Sequence, residues 1–333
     1  MQLTTEQYLE ITASEAFIRR AAELDLPFML KGSYVTRQYF ADPLDRQPMD
    51  LDWVYIGGHL EGVPEARVLF NDWVTRVTEL PAADAAMFRS FQQNAFWRGI
   101  DYAMADDFPT INTDLQCGVP DAAGQPQRVH LRLDVSFNLP FDLSSECLVY
   151  RPLEGEPFLI GHTTPLALQV AWKLHQTLVR PRPKDLFDLV PLLRHANFTP
   201  AVRGQALEAL QQECRADGTD PGRLHYLLAG DLAPLFTEQQ PEKAWQHWRH
   251  NEPADGPGLG YGGDQAHYIT NADNLPTTLA GFVLEVRAAL SHAGFGPGAL
   301  PPPRPARTDA SASRKPVSDK RREFLDNRLD FMD

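Results

Sequence analysis

Three aspartates occupy positions from which their carboxylates could bind divalent cations together. Asp50 and Asp52 alternate along a predicted strand at 49–56, so both side chains project from one face, and Asp134 lies in a second predicted strand at 128–138. Carboxylate oxygens are the ligands that Mg²⁺ prefers. Unit charges 4 Å apart repel by about 4 kcal/mol at an effective dielectric near 20, so three clustered carboxylates predict bound cations.

A tight turn before the first two aspartates could hold phosphate groups. An apolar run from residue 28 ends at Lys31, Gly32 and Ser33, after which a helix can begin at Tyr34. A Gly-Ser turn at a helix start offers backbone N–H groups and a hydroxyl to a triphosphate. With a two-metal site, whose metals are roughly 3.5–4 Å apart, the turn predicts nucleotidyl transfer.

The order of these and later motifs resembles that of the AbiEii/AbiGii nucleotidyltransferase toxins of type IV toxin–antitoxin systems, which belong to the DNA polymerase beta superfamily. The shared motifs are the Lys31-Gly32-Ser33 turn, Arg46 before Asp50-Leu51-Asp52, Lys173 in Ala-Trp-Lys-Leu, and the segment 180–189. They span about residues 28 to 193, and their order is more distinctive than any one of them. Pro48 departs from the family, which usually has Ser or Thr there, and the usual second Gly or Ser-Thr pair after the turn is missing.

The resemblance implies a role for each matching residue. It assigns nucleotide binding to Lys31, Gly32, Ser33 and Lys173, metal binding to Asp50, Asp52 and Asp134, and catalysis to Asp50, Asp52, Asp134, Lys173 and Asp188. The implied reaction transfers an NMP from an NTP, with Mg²⁺, to the hydroxyl of an RNA acceptor, the 3′ end of a tRNA. Growth arrest, as in abortive infection, and a cognate antitoxin encoded nearby are also implied.

Several of these residues have a plainer interpretation. Lys173 could be a solvated helix residue, as most lysines are. Asp185 could cap its helix after Pro183, and we favour capping for Asp185 and chemistry for Asp188. Trp245 and Trp248, with nearby histidines, could bind a metal or stack on bases, but their helical spacing favours ordinary packing.

Two other functions fit the same motifs. The acceptor could be a protein or a small molecule, because a fold does not fix its substrate. The chain could also be a non-catalytic nucleotide- or RNA-binding protein, which would not need three adjacent carboxylates.

The periodicity that positions these residues predicts an α+β chain. We expect a nucleotidyltransferase domain with a mixed sheet at 1–155, a helical domain at 156–295 and a disordered basic tail at 296–333. Predicted helices cover 4–26, 64–80, 82–97, 184–195, 200–215, 237–249 and 275–293, with another capped by Thr164 and a long loop at 252–264.

Composition limits the partners and the location. The net charge is −13, so a polynucleotide must meet a local basic patch, for which Arg180, Arg182, Lys184 and Arg194 are candidates. The three cysteines are far apart and odd in number, which favours buried thiols over disulfides or a zinc site. With no apolar run long enough to cross a bilayer and no secretory signal, we expect a cytoplasmic protein without membrane contact.

Overall fold

A computed structural model describes residues 3–298, except 49, 83, 93–94, 101–108, 122, 180, 233, 236–240, 251–274 and 297. These residues belong to one compact unit. The tail predicted at 296–333 and the loop predicted at 252–264 lie almost entirely outside the described residues.

A mixed sheet forms the centre of the fold, as predicted. Its strands are β1 (Phe28–Lys31), β2 (Leu51–Tyr55), β3 (Met87–Phe88), β4 (Arg98–Ile100), β5 (Thr110–Pro120), β6 (Pro126–Ser136), β7 (Glu146–Tyr150) and β8 (Phe158–Thr163). Their order is β3-β5-β6-β2-β1-β8-β7, and β4 also pairs with β5. The pairs β2–β6 and β1–β8 are parallel and the others antiparallel.

Two helices pack against one face of this sheet. Helix α1 (Thr5–Leu24) begins with a capping box, in which Thr4 and Gln7 each accept a hydrogen bond from the other's backbone N–H. Helix α3 (Val63–Glu79) contributes Phe70 and Trp73. Trp73 stacks on Phe28 at 3.9 Å between ring centroids, so α3 is fixed directly on β1.

The helix predicted at 82–97 is wrong. This segment contains β3, whose backbone pairs with β5 at Met87–Gly118 and Phe88–Cys117. Its apolar residues are spaced as on a helix, but pairing with the long strand β5 satisfies the backbone hydrogen bonds instead. Arg20 of α1 holds this segment in place, because its guanidinium binds both carboxylate oxygens of Asp84 at 3.0 and 2.6 Å.

The sheet also continues further along the chain than residue 155. The hairpin of β7 and β8 was not predicted, and β8 lies beside β1, where Thr163 is the register partner of Leu30. Helix α4 (Leu166–Val179) follows at once. The hydroxyl of Thr164, the residue expected to cap this helix, donates to the Leu30 carbonyl and so ties the start of α4 to β1.

Helices dominate the remaining described residues. They are α5 (Pro183–Arg194), α6 (Pro200–Asp217), α7 (Leu224–Ala229), α8 (Pro241–His250) and α9 (Leu279–His292). Together with α4 they enclose a second apolar cluster, separate from the one under the sheet. Trp245 stacks on Phe282 at 4.3 Å inside it, which confirms packing for Trp245.

The three cysteines are free, and two of them are buried. Cys117 and Cys214 are buried free thiols as expected, but Cys147 is exposed, because it lies on the edge strand β7. Across the described ranges, none of the helices combines the length and the apolar character that a bilayer span requires.

Candidate active site

Two of the predicted carboxylates meet at the centre of the sheet. In the parallel pair β2–β6, Asp52 is the register partner of Asp134, and neighbouring strands lie roughly 4.8 Å apart. Alternation places Leu133 and Val135 on the opposite face, against the core. The alternation of the predicted strand points Asp134 away from that core, but its side chain is only 5% exposed, so it is buried rather than open to water.

Gly32 forms the turn between β1 and the short helix α2 (Ser33–Thr36), against the side chain of Asp52. Its φ of +74° and ψ of −152° are a conformation that only glycine adopts readily. A Cβ atom at this position would lie 2.4 Å from Oδ2 of Asp52. The backbone of the predicted phosphate turn therefore lies directly against the predicted metal ligand Asp52, and Ser33 is the first residue of α2.

Lys31 neutralises Asp52 in this structure. The two residues are register partners in the antiparallel pair β1–β2, and Lys31 Nζ lies 3.2 Å from Asp52 Oδ1. Both side chains are partly accessible, at 19% and 24% exposure. An ammonium at the end of β1 is thus available to the same carboxylate that the resemblance assigns to a metal.

Asp50 is less closely associated with the other two. It precedes β2, and its Oδ1 lies 3.9 Å from Arg132 Nη1, with both side chains well exposed. No three His, Cys, Asp or Glu side chains within the described ranges are grouped closely enough to hold a metal ion. The oxygen donors of Asp52 and Asp134, on register-paired residues, nevertheless match the ligand preference of Mg²⁺.

Lys173 and Asp188 meet in a buried ionic network. Lys173 Nζ lies 2.7 Å from Asp188 Oδ2 and 3.1 Å from Asp185 Oδ1, and both carboxylates are fully buried. Arg46 reaches Asp188 with two nitrogens, Nε at 2.7 Å and Nη2 at 3.3 Å. Lys173 is therefore not a solvated lysine, and Asp188 accepts charge-assisted hydrogen bonds from two cations.

Capping by Asp185 is wrong. Arg182 is the residue that precedes α5, and Asp185 is its third helical residue, where it accepts from Arg182 Nε at 2.5 Å as well as from Lys173. Burial alone would raise the pKa of both carboxyl groups. The cations around them outweigh it, so the pKa values of Asp185 and Asp188 lie below their usual range.

This buried network includes Arg182 and adjoins Lys184, two of the four residues of the predicted basic strip. Arg182 is engaged by Asp185 and by Gln176, and burial, reinforced by the charge of Arg182, lowers the pKa of Lys184 to about 8. Arg194 is exposed, and Arg180 lies outside the described residues. Sequence reasoning also missed Arg46 as a partner of Asp188, because 142 residues separate them.

Helix α4 connects the Gly32 turn with the Lys173 network. Gln169, one turn before Lys173, accepts a hydrogen bond of 3.2 Å from the Thr36 hydroxyl, and Thr36 lies one turn after Gly32. Residues one turn apart share a face of a helix. The phosphate turn and the Lys173 network therefore lie on adjoining surfaces of α2 and α4.

Comparison with known proteins agrees with this arrangement. No curated protein matches the chain. A family model described as nucleotidyl transferase AbiEii toxin, type IV TA system, matches residues 16–257. The match includes the turn at Gly32, both register-paired aspartates and the Lys173 network, and it covers most of the chain. The chain belongs to the AbiEii family of nucleotidyltransferase toxins of type IV toxin–antitoxin systems.

Proposed function

We propose that this nucleotidyltransferase uses Mg²⁺ to transfer an NMP from an NTP to the 3′ hydroxyl of an RNA acceptor, with tRNA as the first candidate. The observation that carries the proposal is the pairing of Asp52 with Asp134 beside the Gly32 turn. Family membership itself implies an NTP substrate and an antitoxin partner. Metal dependence and the acceptor are what the experiments below test.

Asp52 and Asp134 would hold the metal, and Asp50 would join them after leaving Arg132. When bound, Mg²⁺ neutralises triphosphate charge and lowers the pKa of the attacking hydroxyl. The backbone N–H groups after Gly32 bind phosphate oxygens, as helix starts do. Lys173 has three N–H donors, and two of them are directed at Asp185 and Asp188 in the described structure, so the third is the one that would contact the nucleotide.

The transfer step needs a base and a leaving group. Asp134 accepts the proton of the acceptor hydroxyl, whose oxygen then bonds to the α-phosphorus of the NTP. The bond from that phosphorus to the bridging oxygen breaks, and pyrophosphate leaves with the electron pair. Burial of Asp134 limits the contact of its carboxylate with bulk water.

The test is to incubate the purified chain with each α-³²P-labelled NTP, Mg²⁺ and total RNA, and to sequence the labelled product. We expect RNA labelling by the wild type and by Asp72→Asn, whose carboxylate is exposed on α3, but none by Asp134→Asn or with a chelator present. Label on protein or on a small molecule would reject the RNA acceptor. An unchanged rate for Asp134→Asn would reject the assigned base.

A further inference from the structure

We infer that the outer face of β5 and β6 binds the single-stranded end of the acceptor RNA and leads it to Asp134. This arginine face consists of Arg89, Arg98, Arg128 and Arg132, with Phe96 and Met87 among them. The inference rests on the proposed RNA acceptor and adds the surface that would hold it. It replaces the basic strip expected beside Lys173, which the ionic network occupies.

Strand alternation puts these side chains on the same face as the catalytic carboxylate. In β6, Arg128, His130 and Arg132 are all exposed and precede Asp134 at intervals of two residues. Same-face residues are roughly 6.6 Å apart along a strand. The intervening Val129, Leu131 and Leu133 are buried in the core. A strand bound along this row would reach Asp134 without a change of direction.

Neighbouring strands extend the same face sideways. Arg98 is exposed on β4 and contacts two residues of β5, Asn112 at 3.2 Å and Asp114 at 2.5 Å. Arg89 follows β3, and its side chain donates to Gln116 of β5 at 3.3 Å. Asp114 and Gln116 are the register partners of Arg132 and His130, so all of these groups share one surface.

Exposed apolar side chains stand among the arginines. Phe96 is 58% exposed and lies under the guanidinium of Arg98, at 5.6 Å from the ring centroid. Met87 is 59% exposed and lies beside the position where a side chain at Gly118 would project. Surfaces that combine backbone-neutralising cations with an accessible aromatic ring are typical of single-strand binding, where bases stack on the ring.

The charge of this face contrasts with that of the whole chain. The described part of this face carries four arginines and Asp114, with Asp50 and Asp134 at its inner end, in a chain of net charge −13. Arg89 and Arg128 have no carboxylate partner among the described side chains. Because RNA affinity depends on neutralised phosphates, a locally basic surface beside the catalytic carboxylate is what an acidic protein needs for an RNA acceptor.

The test compares two charge-matched double variants of the full chain. Arg89→Gln/Arg128→Gln removes two charges from the arginine face, and Arg76→Gln/Arg215→Gln removes two exposed charges from α3 and α6. Binding of a fluorescein-labelled single-stranded RNA of about 12 nucleotides is measured by anisotropy over a range of salt concentrations. We expect the salt slope to fall by about 0.7 for each face arginine removed, and to stay unchanged in the control.

Phe96→Ala separates stacking from charge. We expect weaker RNA binding with an unchanged salt slope and unchanged NTP affinity. The inference would be overturned if Arg89→Gln/Arg128→Gln keeps the salt slope of the wild type. It would also be overturned if polyglutamate displaces the labelled RNA as well as unlabelled RNA does. If the wild type labels RNA but these variants bind it normally, only the surface is wrong; if the wild type neither binds nor labels RNA, the proposed acceptor fails first.

Discussion

At the scale of single residues, Gly32 carries the most demanding constraint. Its positive φ disfavours any side chain, and Oδ2 of Asp52 occupies the space where a Cβ would lie, at 2.4 Å. Gly218 has a similar φ of +77°, but an added Cβ would meet nothing within 4 Å. The two positions therefore separate backbone strain from interference with Asp52.

We predict that Gly32→Ala loses nucleotidyl transfer and costs about 1–3 kcal/mol of stability, because Asp52 must shift and the backbone is strained. Gly218→Ala should lose stability while keeping its activity. Urea unfolding and NTP turnover measure the two effects. Normal turnover in Gly32→Ala would show that the turn does not position Asp52.

Lys184 provides a test of the buried network through pH. In the folded chain the pKa of Lys184 is about 8, below the 10.5 of an ordinary lysine. Between these values the unfolded chain binds a proton that the folded chain does not, so this group makes stability rise with pH from about 8 to about 10.5. The unfavourable contribution of the charged form is fully present below pH 8.

We predict that the unfolding free energy of the wild type, relative to Lys184→Met, increases between pH 8 and pH 10. Lys243→Met, which changes an exposed lysine on α8, should remain parallel to the wild type over that range. Urea midpoints at several pH values make the comparison. Parallel curves for the wild type and Lys184→Met would contradict a lowered pKa.

Residue patterns in the sequence were informative where a strand alternates cleanly. The alternation from Arg128 to Asp134 indicates both the buried face and the position of Asp134, and it places Arg128 and Arg132 on the side of the carboxylate. Arg89 could not be added to that face, because helix-like spacing concealed β3. Arg98 lies on β4, and no local signal shows that β3 and β4 both pair with β5.

At the scale of elements, short or exposed strands were the ones that sequence reasoning lost. Strand β7 is exposed along most of its length and has no alternating apolar pattern to detect. By contrast, α1, α3, α5 and α6 are long and amphipathic, and their predicted bounds differ from the structure by only a few residues. The contacts between elements, such as Thr164 with Leu30, arise from tertiary packing alone.

The ion pair of Arg46 and Asp188 joins two elements that the sequence keeps far apart. Arg46 precedes the strand that carries Asp52, while Asp188 lies on α5 and holds Lys173. Removing one partner of a buried pair typically costs about 3–5 kcal/mol, whereas replacing both by apolar residues is often neutral. Stability and nucleotide affinity should therefore respond differently.

We predict that Arg46→Met is strongly destabilised and binds NTP at least tenfold more weakly. Arg46→Met/Asp188→Leu should recover stability but not affinity, because Lys173 then has only Asp185 of its two carboxylate partners. Arg20→Met breaks a comparable buried pair with Asp84 and should lose stability alone. Thermal unfolding measures the stability of each variant, and calorimetry measures its NTP affinity. Recovery of affinity in the double variant would mean that the pair only stabilises the fold.

At the scale of the whole molecule, charge is distributed unevenly along the chain. The segment 301–322 carries seven basic residues against two aspartates, in Arg304, Arg307, Arg314, Lys315, Lys320, Arg321 and Arg322. The two apolar clusters, as far as they are described, end at Phe295. The segment is thus a basic stretch in an acidic chain, and it follows the last described core residue in the sequence.

We predict that deleting 300–333 leaves the melting temperature unchanged and lowers RNA affinity at low salt, with the difference vanishing at high salt. Anisotropy with the same labelled RNA, on the full and shortened chains, measures it. Superimposable salt curves would mean that the segment takes no part in RNA binding.

The parallel pairing of β2 with β6 also determines when, during synthesis, the site residues can come together. Asp52 meets Asp134 only after 82 further residues have been made, and Arg46 meets Asp188 only after 142. At roughly 5–20 residues per second, the interval from residue 46 to residue 188 lasts about 7–28 s. A ribosome-bound chain lacks these contacts during that time, so a nucleotidyltransferase toxin built this way cannot act beside its own ribosome until α5 has emerged and docked.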